Sequence, residues 1–97
     1  MIRHVLCFRL VDREHDAAIR QRLTALVGVV PGLLAMDVEP DLGEVDGHWD
    51  LVLVSEHESV EALAAHQTHP EHRAAAAWVA QFVTERAVVD YAVPAAD

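Results

Sequence analysis

The sequence predicts an α+β fold in which helices cover one face of a four-stranded antiparallel sheet. Three observations predict it. Apolar residues alternate in four segments and recur at helical spacing between them, giving the order β-α-β-β-α-β. Turn-forming residues stand at the joints: Pro31-Gly32, Pro40 to Gly47, and Pro70. Ninety-seven residues, 53 % apolar but only 5 % aromatic, suffice for one domain over 1–97 with a core of small aliphatic pieces.

Each element has its own signal. Ile2 to Leu10 alternates as a strand, with Ile2, His4, Leu6, Phe8 and Leu10 on one face and Arg3, Val5, Cys7 and Arg9 on the other. After the charged turn Asp12 to Asp16, a helix opens at Ala17. Its apolar stripe is Ile19, Leu23, Leu26, Val27 and Val30, and Gly28 and Pro31-Gly32 end it. Leu33 to Glu39 reads as a strand with Leu34, Met36 and Val38 on one side. Trp49 to Glu56 is a third, with Leu51, Leu53 and Ser55 opposed to Val52 and Val54. Ser59 is placed to cap a short helix carrying Val60, Leu63 and Ala64. That helix breaks near Thr68, because Pro70 disfavours helical geometry at His69, and Pro70 in turn suits the start of the next. The second piece is expected from Glu71 to Thr84, with Ala74, Trp78, Val79, Phe82 and Val83 apolar. Ala87 to Val93 closes the set as a strand, followed by a short tail.

The first, third and fourth strands are apolar on both faces, yet helices can cover only one. The remaining face holds Val5, Cys7, Val52, Val54, Val89, Tyr91 and Val93. A second sheet is expected to cover it, most simply in a homodimer packed sheet to sheet.

Charge narrows the partners. Seven basic against sixteen acidic residues give a formal charge of −9, which repels phosphate backbones and anionic membranes, so neither nucleic acid nor a membrane is expected as a partner. No signal peptide is recognisable and the apolar runs are too short to span a bilayer. One cysteine, Cys7, excludes an internal disulfide and fits a reducing cytoplasm, and it reads as a small buried hydrophobe.

The chemistry concentrates in His66-Gln67-Thr68-His69-Pro70-Glu71-His72, three imidazoles at three-residue intervals around a helix break. Imidazole titrates nearest neutrality, so such a cluster suits proton transfer. Strand parity adds two groups. His4 shares the face of Leu6 and Phe8, and Asp90 shares that of Val88 and Ala92, the same side if the first and last strands pair. His72 opens the last helix above them. A carboxylate accepting from one ring nitrogen would set the tautomer and leave the other nitrogen as a base. The expected constellation is His72 as base, Asp90 as its orienter and His66 as an acid. The pocket wall is expected from Leu6, Phe8, Leu23, Leu53, Trp78 and Phe82 with His4. The bland alternative is that His72 bonds Asp90 only to tie helix to sheet, and that His69 only caps its helix. His15, His48 and His57 are expected in solvent near loops. The spacing of His66, His69 and His72 matches no familiar zinc motif, and no phosphate loop, nucleophile elbow or dinucleotide fingerprint is present, so neither metal nor cofactor is expected.

Ile2-Arg3-His4-Val5, Pro31-Gly32, His69-Pro70-Glu71-His72 and Val88-Val89-Asp90-Tyr91 together resemble the stress-responsive dimeric α/β-barrel family, often called Dabb. The resemblance spans nearly the whole chain. It implies a ferredoxin-like fold and a homodimer whose two sheets form a barrel. The family includes stress-response proteins of plants and olivetolic acid cyclase, a cofactor-free enzyme of polyketide metabolism. The cyclase implies a catalytic histidine at His72, a supporting aspartate at Asp90 and a pocket histidine at His4. Two positions depart from its pattern: His66 stands where it has a tyrosine, and Leu51 where it has a further histidine. The functional expectation is a small-molecule pocket between sheet and helices, with cofactor-independent cyclase or lyase chemistry on a polyketide-like or phenolic substrate. The alternatives are a non-catalytic stress-associated homodimer and, by fold analogy alone, a small cofactor-poor oxygenase.

Overall fold

The computed structural model describes residues 1–94, so the expected tail lies, from residue 95 on, outside the described residues. The elements are β1 (Ile2–Leu10), α1 (Asp16–Thr24), β2 (Leu33–Pro40), β3 (Leu51–His57), α2 (Val60–Thr68), α3 (Pro70–Ala80) and β4 (Val83–Ala92). The strands form one antiparallel sheet in the order β2-β3-β1-β4. This is the ferredoxin-like β-α-β-β-α-β arrangement, with the second helix in two pieces.

Alternation explains the two faces. Leu6, Phe8 and Leu10 of β1 and Leu51 and Leu53 of β3 are buried with Ile19 and Leu23 of α1 and Ala75 and Val79 of α3. The register puts Leu6 beside Leu53 and Val88, and Phe8 beside Leu51 and Arg86. On the opposite face Val5 lies between Val54 and Val89, and Cys7 between Val52 and Ala87. Around Arg3 that face turns polar: its guanidinium donates to Glu56 at 2.9 Å and to the Tyr91 hydroxyl at 2.8 Å.

The joints behave as their residues dictate. The Ser59 hydroxyl accepts from Ala62 N–H at 3.0 Å, which caps α2. His69 is extended, ends α2 and caps α3, its Nδ1 accepting from Glu71 N–H at 3.1 Å, with Pro70 in the first turn. Gly32, at φ +79°, turns the chain into β2 beneath Ala62 of α2.

Several boundaries differ from expectation. α1 stops at Thr24, and the chain runs on to Val30 in turns that mix three- and four-residue hydrogen bonds. Tighter turns rotate the stripe, so Leu26 and Val30 are buried while Val27 is exposed. In β2 a bulge between Leu33 and Ala35 shifts the parity, so Leu33 enters the core and Leu34 points outward. β3 starts at Leu51, two residues later than expected. In α2 the buried residues are Leu63 and His66, with Val60 and Ala64 exposed. α3 ends at Ala80 rather than Thr84, and β4 begins at Val83 rather than Ala87, because Val83 to Arg86 pair with the end of β1. Ala75 rather than Ala74 is buried in α3. Among the described residues no helix is long and apolar enough to cross a membrane.

Candidate functional site

A cavity of about 650 Å³ lies between the core face of the sheet and the α2–α3 pair. Its floor is Leu6, Phe8, Leu53 and Met36; Leu23, Ala76 and Val79 come down from the helices, and Val83, Thr84, Arg86 and Val88 form the β4 side. That side is open, since Val88 is 42 % exposed. The small side chains of Ala76 and Ala80 on α3 leave room that larger ones would fill. The volume suits a drug-sized ligand.

The polar groups enter from three elements. On the sheet, His4 stands directly between Ser55 of β3 and Asp90 of β4. Its Nδ1 is hydrogen-bonded to the Asp90 carboxylate. Ser55 Oγ lies 2.9 Å from Nε2 of His57, two residues along the same face. From above come His66 on the last full turn of α2 and His72 on the first turn of α3, brought together by the proline break. The ring centroids run His4–His57 6.4 Å, His57–His66 5.0 Å and His66–His72 4.4 Å. Four imidazoles and one carboxylate thus form a row above one end of the cavity, and His4, His66 and His72 line it.

Burial sets the charge of this row. His57 is fully buried and His66 is 4 % exposed. Desolvation pushes His66 down to about 4, with the neighbouring imidazoles His72 and His57 adding to the shift. His57 and His72 are lowered as well, again chiefly by burial. These three rings are therefore neutral at pH 7. The His72 Nδ1 sits 3.3 Å from the Gln67 carbonyl, which assigns it the proton and leaves the lone pair on Nε2. Among the described residues, Nδ1 of His57 and of His66 has no hydrogen-bond partner.

The expected site residues are placed as follows. His4, His66, His72, Leu6, Phe8, Leu23 and Leu53 surround one cavity. Asp90 joins them through His4 and makes no bond to His72, a correction that follows from register: His4 and Asp90 are directly paired across two strands, whereas His72 is held by its own helix joint. Trp78 and Phe82 do not line the cavity. They stack edge to face at 5.0 Å, and Phe82 also meets His15 at 4.5 Å, closing the core beside α1. His57 is buried, not solvated, because β3 continues one residue beyond Glu56 and the alternation of Leu51, Leu53 and Ser55 carries it inward. Its parity was the signal that could have found it. Arg86 shares the face of Asp90 four residues away, and the same parity brings it to the cavity. His48 is exposed, as expected, with its Nδ1 3.1 Å from Asp41.

Comparison with known proteins follows the same lines. No curated protein matches the chain. Among solved structures, a dimeric ferredoxin-like protein of unknown function from Thermobifida fusca is 33 % identical, covers 95 % of this chain and 90 % of its own, and superposes with a TM-score of 0.77. A dimeric ferredoxin-like protein of unknown function from Bacteroides fragilis is 26 % identical over 93 % of each chain, with a TM-score of 0.77. A hydroxynitrile lyase from Passiflora edulis, 17 % identical over 99 % of this chain and 95 % of its own, shares the fold with a TM-score of 0.81. The family model for the stress-responsive A/B barrel domain matches residues 2–93, and the chain therefore belongs to the Dabb family.

Proposed function

We propose that this protein binds a small, largely apolar carbonyl or phenolic compound in the cavity and moves a proton on it without a cofactor, as a lyase or cyclase does. The observation that carries this reading is the meeting of His4, His66 and His72 at one cavity of about 650 Å³, with Asp90 bonded to His4. The carboxylate holds the Nδ1 proton of His4, which leaves Nε2 as the proton acceptor. His72, neutral and with its Nε2 lone pair free, is the second group, taking or returning the proton as the reaction requires. His66 is the donor of last resort in this set, since its low proton affinity keeps it neutral. The hydroxynitrile lyase that shares the fold supports the class of reaction by analogy: such a cleavage takes one proton from a hydroxyl and returns one to the leaving carbon.

The working unit in this reading is a homodimer joined through Val5, Cys7, Val52, Val54, Val89, Tyr91 and Val93. The dimeric state of the relatives from Thermobifida fusca and Bacteroides fragilis supports it, as does Val89 at 63 % exposure beside Val5 on an apolar face. The single half-buried cysteine fits a cytoplasmic setting.

The test is exchange of the α-protons of phenylacetone for deuterium, followed by NMR at pD 7. The wild type is expected to accelerate exchange over buffer, with Asp90→Asn and His72→Gln each slower by about tenfold or more. Exchange at the buffer rate, with the His4 and His72 ring signals unmoved by the ketone, would reject the catalytic reading.

A further inference from the structure

Every basic residue of this chain is an arginine, and most of them are engaged. Arg3 pairs with Glu56, Arg9 with Glu85, Arg13 with Asp16 and Arg20 with Glu39. Among the described residues Arg22, Arg73 and Arg86 make no ion pair. Arg22 and Arg73 stand on the outsides of α1 and α3. Arg86 stands on the core face of β4, opposite Phe8, and lines the cavity.

We propose that Arg86 is a specificity residue that receives a carboxylate on the ligand, so that the compound taken by the cavity is an apolar acid held head-first at the β4 side. The inference rests on the binding reading above and names its substrate class. Three observations carry it. First, Arg86 is the one arginine at the cavity, and among the described residues no carboxylate has neutralised it. Asp90, the carboxylate on the same strand face, lies four residues away, about 13 Å along the strand, and is engaged with His4. Glu85 is its sequence neighbour at the rim, but its carboxylate is directed to Arg9 on the other face, at 3.8 Å. Second, burial keeps His57, His66 and His72 neutral at pH 7, so the Arg86 guanidinium is a permanent positive charge beside neutral rings. It is close enough to His72 to oppose its protonation, after burial and the field of His4. Third, apart from Thr84 and Glu85 on the same strand, the wall beside it is apolar: Leu6, Phe8, Val79, Val83 and Val88. A planar guanidinium at the mouth of an apolar slot recognises a carboxylate with two parallel hydrogen bonds, while the slot takes the hydrocarbon body. With −9 on the whole chain, long-range attraction does not favour anions, so the selectivity has to be local to Arg86.

The experiment is binding of 4-butylbenzoate and its neutral amide, 4-butylbenzamide, to the wild type and to Arg86→Gln and Arg86→Lys, by calorimetry and by the ring signals of His4 and His72. The wild type is expected to prefer the acid over the amide by about tenfold. Arg86→Gln should abolish that preference by weakening the acid about tenfold more than the amide, and Arg86→Lys should recover only part of it, since an ammonium cannot form the paired bonds. If acid and amide bind the wild type equally, or Arg86→Gln keeps the preference, the assignment of Arg86 fails while the binding cavity stands. If neither compound binds, both readings fail together. Melting curves of the variants report that the fold is intact, as expected for an exposed strand position.

Discussion

His66 is a polar ring buried to 4 % exposure whose Nδ1 has no partner among the described residues, which makes it a liability below neutral pH. Its folded-state value of about 4 lies beneath the unfolded value of 6.5, so between those limits the unfolded chain binds more protons than the folded one. Stability therefore rises with pH across that window: the contribution is complete above 6.5 and is lost as pH falls through about 4, on the order of 3 kcal/mol for this one ring. His57 and His72 act in the same direction. Urea unfolding at pH 7, 6, 5 and 4 should show a steady fall, and His66→Leu should flatten the slope without loss of stability at pH 7. A pH-independent midpoint in the wild type would contradict this account. The pair of His4 and Asp90 is different in kind. It is partly exposed, so Asp90→Asn should change stability by no more than about 1 kcal/mol, and a large change in unfolding midpoint would mark the pair as structural. At this scale the sequence singles out His4, His66, His72 and Asp90, which the structure brings to one end of the cavity, but not their pairing. Strand parity puts Asp90 on the helix side beneath His72, but only the register shows that His4, directly opposite, takes it. His57, expected in solvent, is buried because it stands one residue beyond the expected strand end.

The elements are held by their joints. At Gly32 the backbone is left-handed at φ +79°, and a Cβ would stand 2.8 Å from the Ala62 Cβ of α2. At Gly28 the backbone is also left-handed, at φ +86°, with nothing within 4 Å of an added Cβ. Gly28→Ala should therefore cost only the conformational term, about 1 kcal/mol, while Gly32→Ala adds displacement of α2 and should cost at least about 2 kcal/mol. Chemical denaturation of the two variants side by side checks the difference, and equal costs would mean that α2 is free to give way. Pro31-Gly32 and His69-Pro70 were both legible as joints, because proline and glycine act through local geometry. The bulge at Leu33 to Ala35 was not: it depends on which neighbour β2 pairs with. The same holds for the end of α3, where pairing with β1 takes Val83 to Arg86 away from the helix.

At the scale of the molecule, the apolar outer face of the sheet governs behaviour. Val89 stands on the edge strand β4 of that face, exposed and opposite Val5. A buried glutamate there would be costly, so Val89→Glu should weaken self-association by tenfold or more in sedimentation equilibrium while leaving circular dichroism unchanged. Because each copy carries −9, association of the wild type should strengthen as salt rises from 0.05 to about 0.5 M, where screening reaches a few ångströms. A wild type that stays monomeric at all salt concentrations would remove the dimer from the proposal.

By itself the sequence determined the order of elements, the two-sided sheet, the helix break and the imidazole-rich composition of the site. Alternation, helical spacing and proline geometry act over a few residues and need no fold to be read. The tertiary structure decided which groups meet. It set His4 between Ser55 and Asp90, drew His57 into the row, turned Trp78 and Phe82 away from the cavity and left Arg86 at its rim. Those outcomes depend on strand register and on how far α3 extends, which are settled by pairing between residues some eighty positions apart and by no local preference.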